Sequence, residues 1–171
     1  MSQLALVGAV AAQGVAVQQT CVATDSTLPL TRFQDNGDGT VTDVDSKLMW
    51  MRCPSGQRWV NARCTGEAAT YNWVAAVREA DQISSNGEAF FNDWRVPTLR
   101  DLATITDRGC KNPRTNLIVF PGTQPTAFWT STPRPGGQAA DRAFVLSFGA
   151  EGVMSALKDE RFYVRFVRNA M

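Results

Sequence analysis

The chain has 171 residues, 17 Lys and Arg against 16 Asp and Glu, a formal net charge of +1, four cysteines and no histidine. That length fits one domain, and 44% hydrophobic against 19% charged residues is a globular composition rather than a disordered one. The lack of histidine excludes Ser-His-Asp and Cys-His nucleophile systems and imidazole-ligated zinc or haem, and the near-zero charge argues against nucleic acid as a partner.

Residues 4–17 (LALVGAVAAQGVAV) are apolar or small. This run is shorter than the roughly 20 residues a membrane span needs, so no span is expected. Two readings stand for residues 1–20: a signal remnant, or an apolar segment that packs on the domain or on a neighbouring subunit. No Lys or Arg precedes Arg32, so the basic leader that usually opens a signal is missing here. Residues 21–171 are expected to form the domain.

Cys21, Cys53, Cys64 and Cys110 are even in number and form no C-x-x-C pair, which argues for export and against zinc ribbons or thioredoxin chemistry. Of the three possible pairings, the preferred one joins Cys53 to Cys64 across a turn and Cys21 to Cys110. Their loops would contribute roughly 3 and 4–5 kcal/mol in the chain-entropy account. Four reduced thiols are the alternative.

After an extended lead-in, residues 32–43 (RFQDNGDGTVTD) carry Asn-Gly and Asp-Gly turn signals beside an alternating Thr-Val-Thr, which predicts a β-hairpin. Residues 47–52 and 58–63 read as strands. Thr70 is the expected N-cap of a helix over 71–83, with Trp73, Val74, Val77 and Ala80 on one face. Residues 93–96 form a short strand stopped by Pro97. Thr98 and Asp101 then make a capping box for a second helix over 99–106, closed by Gly109.

Residues 110–127 hold three prolines and read as a long irregular loop. Strands follow at 128–132, at 142–148 with Phe144, Leu146 and Phe148 on one face, at 152–157, and at 163–168 with Val164 and Phe166 opposite Arg165 and Val167. Strands, two helices, a long loop and an antiparallel meander make an α+β class. Long loops in small domains are usually functional, which directs attention to residues 110–141.

In order, RFQDNGDGTVTD (32–43), KLMWMRC (47–53), YNWVAAVREA (71–80), DWRVPTLRDL (93–102), FPGTQPTAFWTST (120–132), AFVLSFGAEG (143–152) and YVRFVR (163–168) resemble the C-terminal domain of bacterial collagen-like adhesins, the Lcl C-terminal-like family. The Arg-Val-Pro-Thr helix opening is also similar to that of formylglycine-generating and sulfatase-modifying domains. The resemblance implies a C-type-lectin-like fold, with an antiparallel sheet, two helices and a long loop region bearing the binding surface. For the adhesins it implies trimers and sulfated-glycan binding.

Residues 34–45 approach a twelve-residue calcium loop, with Asn36, Asp38 and Asp45 as candidate ligands. Gln34 occupies the first position, where a carboxylate is needed, and Asp45 replaces the bidentate Glu, so turn chemistry is the better account of the motif. Gln124-Pro125-Thr126 lacks the carboxylate of a lectin sugar motif. The expectation is no cofactor, with calcium a minor alternative.

The oxidase chemistry that the similarity to formylglycine-generating domains implies needs a cysteine pair near the C-terminal part of the domain, whereas the last cysteine here is Cys110, and no carboxylate pair stands out by spacing, so no enzyme is expected. The cations are segregated: residues 47–63 hold Lys47, Arg52, Arg58 and Arg63 with no acid among them. Arginine's planar fork suits sulfate and carboxylate.

Arg108, Lys111, Arg114, Arg134 and Arg142 flank the long loop and are the candidate ligand-binding residues, with Trp129 as a possible sugar-stacking surface. Trp50, Trp73 and Trp94 read as core, whereas Trp59 and Trp129 fit either core or surface. The chain therefore reads as a secreted or cell-surface adhesin-like module that recognises an anionic polysaccharide or a surface protein. The alternative is a structural subunit of a fibre or pilus, as a homo-oligomer.

Overall fold

The computed structural model describes residues 19–86, 91–136 and 141–170, so the apolar segment at 4–17 lies outside the described residues. Strands β1 (Thr20–Cys21), β2 (Phe33–Asp35), β3 (Thr40–Asp43), β4 (Leu48–Met51), β5 (Arg58–Val60), β6 (Arg63–Thr65) and β7 (Thr70–Tyr71) come first. Helices α1 (Trp73–Asn86) and α2 (Leu99–Thr104) follow. The chain ends with β8 (Cys110–Lys111), β9 (Ala127–Pro133), β10 (Arg142–Ser147), β11 (Val153–Leu157), β12 (Phe162–Tyr163) and β13 (Val167–Asn169).

One sheet has the order β11-β10-β9-β12-β7 and a second the order β13-β4-β3-β2, with β1-β8 and β5-β6 as separate pairs. All pairings are antiparallel except β12 with β9. The class is α+β, as expected. Among the described residues no helix is long and apolar enough to cross a membrane.

The central strands of the larger sheet are covered on both faces, which explains the consecutive apolar residues Ala127–Trp129 in β9 and Ala143–Leu146 in β10. Phe128, Leu146 and Phe148 pack with Trp50, Leu102 and Phe120 on one side. Trp129 and Val145 pack with Ala76 and Ala80 of α1 on the other. Leu146 and Phe148 share a face as their spacing predicts.

Several expectations held. The 32–43 hairpin forms with Asp35 opposite Val41 and Phe33 opposite Asp43. The Thr98 hydroxyl accepts from the Asp101 N–H while the Asp101 carboxylate accepts from the Thr98 N–H, the reciprocal box that starts α2. Cys21 is bonded to Cys110 and Cys53 to Cys64.

Other expectations are corrected. Thr70 is not a helix cap: it pairs with Tyr163 in the sheet, and the Asn72 side chain accepts from the Ala75 N–H at 2.8 Å to cap α1. Val74 points to solvent, 55% exposed, because Ala76 and Ala80 form the buried face instead. Residues 58–63 are not one strand but most of a hairpin, turned at Asn61 and Ala62, both at positive φ. Residues 93–96 make only a single bridge, Arg95 to Val167.

The largest departure is at 163–168. The segment breaks into β12 and β13, and residues 164–166 carry the chain from one sheet to the other. Val164 O accepts from the Ser55 N–H and Phe166 O from the Met51 N–H. Arg165 is fully buried rather than solvated. Its Nη1 donates to Met51 O at 2.9 Å and to Arg52 O, and its Nη2 to Thr123 Oγ1 at 2.7 Å. Burial without a carboxylate pulls its pKa down to about 9.

Candidate functional site: a basic pocket beside the first disulfide

The chain leaving α2 turns sharply at Asp107. Its buried carboxylate accepts from Ser26 Oγ at 2.7 Å, the Thr27 N–H at 2.9 Å and the Gly109 N–H at 2.9 Å. Those bonds hold the turn that presents Arg108. Cys110, bonded to Cys21 and paired with it in β1-β8, sets the position of Lys111. Asn112 takes a positive φ before a cis peptide to Pro113. Gln19 Nε2 donates to Pro113 O at 2.7 Å and Thr115 O at 2.6 Å, which straps the loop down. Arg114 is clamped through its backbone: its N–H donates to Phe148 O at 2.7 Å and its O accepts from the Asp107 N–H at 2.9 Å.

Arg108, Cys110, Lys111, Asn112 and Arg114, with Gly149 and Ala150, line an open cavity of about 390 Å³. Arg108, Lys111 and Arg114 all line it, and no acid does. None of the three forms an ion pair among the described residues, whereas Arg32, Arg52, Arg95 and Arg168 each do. The nearby Glu151 turns to Ser147, whose hydrogen bond holds its carboxyl below the usual value. Three like charges in one concavity create a positive potential that an anion relieves.

The rest of the expected set lies elsewhere. Arg142 and Ser147 stand at opposite ends of β10, roughly 17 Å apart at strand spacing, and Arg134 bonds through its N–H to Arg142 O. Arg134 and Arg142 therefore belong to the far end of the sheet. The Arg142 guanidinium is engaged, donating to Ser155 O at 2.6 Å and to Ser155 Oγ at 3.3 Å. Trp129 is completely buried, donates from Nε1 to Tyr71 O at 2.7 Å and meets Phe162 edge-on, so it offers no face to a sugar.

The calcium candidates do not converge. Asn36 Nδ2 donates to Thr40 Oγ1 and Thr42 Oγ1, and Asp38 Oδ1 accepts from the Thr40 N–H and hydroxyl. Asp45 lies past the other end of β3, 3.6 Å from Arg32. Among the described residues no three His, Cys, Asp or Glu side chains are placed to hold a metal.

A second cavity, of about 550 Å³, opens around Trp59. It is bounded by the 38–40 hairpin tip, the segment after Cys53, the β5-β6 hairpin, and Glu79 and Ile83 of α1. Burial pushes the Tyr71 hydroxyl pKa up, opposed by its hydrogen bond with Ser55 Oγ and reinforced by the neighbouring Glu79. Sequence reasoning missed this assembly because its members come from separate segments. The available signals were local: an unassigned Trp59, and a glycine, Gly39, where a Cβ would stand 2.7 Å from Trp59 Cβ.

A family model described as the Lcl C-terminal domain matches residues 39–168. No curated protein matches the chain.

Proposed function

Because this chain belongs to the Lcl C-terminal domain family, we propose that it is an exported, surface-associated, adhesin-like module with a C-type-lectin-like fold, and that it binds an anionic glycan in the pocket of Arg108, Lys111 and Arg114. The observation that carries this reading is the convergence of three cations, without an acid, in a cavity held by a disulfide and a buried carboxylate. The two disulfides accord with an oxidising compartment. A sulfate or carboxylate would accept charge-assisted hydrogen bonds from the two guanidinium forks, with Lys111 as a point charge.

The test is binding of the full chain to heparin and chondroitin sulfate at rising salt. Lys111→Ala with Arg114→Ala is expected to weaken binding by at least about tenfold, since a bond to a charged group contributes roughly 1.5–3 kcal/mol. Arg134→Ala is expected to stay within about twofold of the parent, as an exposed cation outside the pocket. Binding that ignores salt, or that Arg134→Ala weakens as much as the pocket substitutions do, would overturn the reading.

A further inference from the structure

We infer that the Trp59 cavity is a second binding site, independent of the basic pocket, and that its ligand is an uncharged, hydroxyl-rich sugar unit. At about 550 Å³ it is the larger of the two cavities and falls within the usual range of small-ligand sites, roughly 300–1,000 Å³. Its apolar surfaces are Met51, Ile83, Phe166 and the half-buried indole of Trp59. Its polar edge combines the carboxylates of Asp38 and Glu79 with the hydroxyl of Ser55 and the guanidinium of Arg58.

This mixture selects among ligand chemistries. A sugar ring has an apolar C–H face and a rim of hydroxyls that both donate and accept. Carboxylates accept from such hydroxyls, an arginine donates to them, and an aromatic side chain covers the C–H face. A purely apolar ligand would desolvate the Asp38 and Glu79 carboxylates while giving Asp38 Oδ2 no donor, which disfavours it. An anion would be repelled by the same two carboxylates. A cation would meet Arg58 at the rim and the Arg52 guanidinium, which already sits 4.2 Å from the Trp59 ring centroid.

The site is also prearranged. Asp38 spends Oδ1 on the Thr40 N–H and hydroxyl, at 2.9 and 2.6 Å, and Oδ2 has no partner among the described residues. The Arg52 guanidinium covers one face of the Trp59 ring and Gly39 packs against its Cβ and Cγ, so the indole is fixed in place while still lining the cavity. Arg52 is itself anchored by Asp35 at 2.6 Å and by Val119 O at 3.0 Å. The Cys53–Cys64 bond ties the β5-β6 hairpin to the end of β4. A ligand therefore meets side chains already in place, which lowers the ordering cost of binding.

The experiment is saturation-transfer NMR on the full chain with neutral trisaccharides of glucose, galactose, mannose and N-acetylglucosamine. At least one is expected to bind, unaffected by high salt and by excess heparin. Trp59→Ala and Glu79→Gln are each expected to weaken that binding by about tenfold or more, the loss of one bond to a charged group or of one stacked face. Glu79→Gln keeps side-chain size, so the test survives if the tryptophan variant does not fold. The inference is overturned if no trisaccharide binds, if binding persists in both variants, or if heparin or a trilysine peptide displaces the sugar. Failure here leaves the salt-dependent heparin assay untouched, so the two sites are judged separately.

Discussion

Asp43 closes the Asn-Gly-Asp-Gly hairpin, and replacing it by asparagine tests what that hairpin rests on. The side chain is fully buried. Oδ1 accepts from Arg32 Nε at 2.7 Å, the Asp45 N–H at 3.1 Å and the Ser46 N–H at 3.4 Å, and Oδ2 accepts from Arg32 Nη2 and the Ser46 hydroxyl. Asparagine has the same size but only one acceptor atom, and its NH₂ would face a donor. Removing the charge also leaves Arg32 without its buried partner. Breaking such a pair costs about 3–5 kcal/mol. At 2–4 °C per kcal/mol for a chain of this size, the melting temperature should fall by roughly 6–20 °C.

Asp45→Asn is the comparison, because Asp45 is 71% exposed and 3.6 Å from the same arginine. A surface pair of that kind contributes about 0–1 kcal/mol. The pH dependence adds a second constraint. Burial pushes the Asp43 carboxyl up, but hydrogen bonds from Arg32 and Ser46 outweigh it, and the folded pKa lies below the ordinary 3.8. A carboxyl with a depressed folded pKa stabilises the fold fully above its unfolded value and loses that contribution as pH falls towards the folded one. Calorimetric melts should therefore show a constant gap between parent and Asp43→Asn from about pH 7 to 5, narrowing below about pH 4. Equal effects of the two substitutions, or a gap that is the same at about pH 3 as at about pH 7, would refute this account.

Two further predictions concern the basic pocket and the sheet junction. Replacing Cys21 and Cys110 by serine should cost roughly 4–5 kcal/mol by loop entropy over their separation of 89 residues, and should weaken heparin binding even where the protein is still folded, because the Lys111 loop loses its anchor. A destabilised protein with unchanged heparin affinity would show that the disulfide does not position the pocket. Arg165→Met, measured by urea unfolding, should destabilise the fold by about 2–4 kcal/mol, since Met51 O and Arg52 O lose their donors at roughly 1–3 kcal/mol each, partly offset by removal of a buried charge. Equal or greater stability would show that the cation is retained for something other than those two carbonyls.

The features legible in the sequence were those whose causes are local. The Asn-Gly-Asp-Gly turn, the Thr98 box and the alternation of Leu146 with Phe148 depend on residues within a few positions of one another. The preferred disulfide pairing rested on the short turn between Cys53 and Cys64, and the family resemblance on ordered motifs. What escaped depends on three-dimensional closure. Arg165 reads as the polar half of an alternating strand, yet the strand breaks there and delivers it to three oxygens from two distant segments. Trp129 stands beside a long loop, yet it sits in a sheet covered on both faces. Thr70 looked like a helix cap because nothing local reveals that its backbone is taken by Tyr163.

The net charge of +1 says little about partners because most of what matters is how each cation is used. Arg32, Arg52, Arg95 and Arg168 hold Asp43, Asp35, Asp101 and Asp93. Arg165 and Arg142 bind main-chain carbonyls. Arg168, only 6% exposed, also lies 3.9 Å from the Phe91 ring centroid. These side chains are occupied by the fold, and an anionic ligand would have to break an existing bond to engage them. Other cations such as Arg100 and Arg134 are exposed but line neither cavity. In water an isolated exposed charge attracts an anion by only about 1 kcal/mol at contact, and salt screens it further. Arg108, Lys111 and Arg114 differ on both counts. They act on one concave volume, and the backbone beneath them is fixed by Asp107, Gln19 and the Cys21–Cys110 bond. The entropy of gathering like charges has been met in folding, so it is not charged again to binding. The partner-selecting quantity in this chain is therefore the number of unspent cations per cavity, not the sum of its charges.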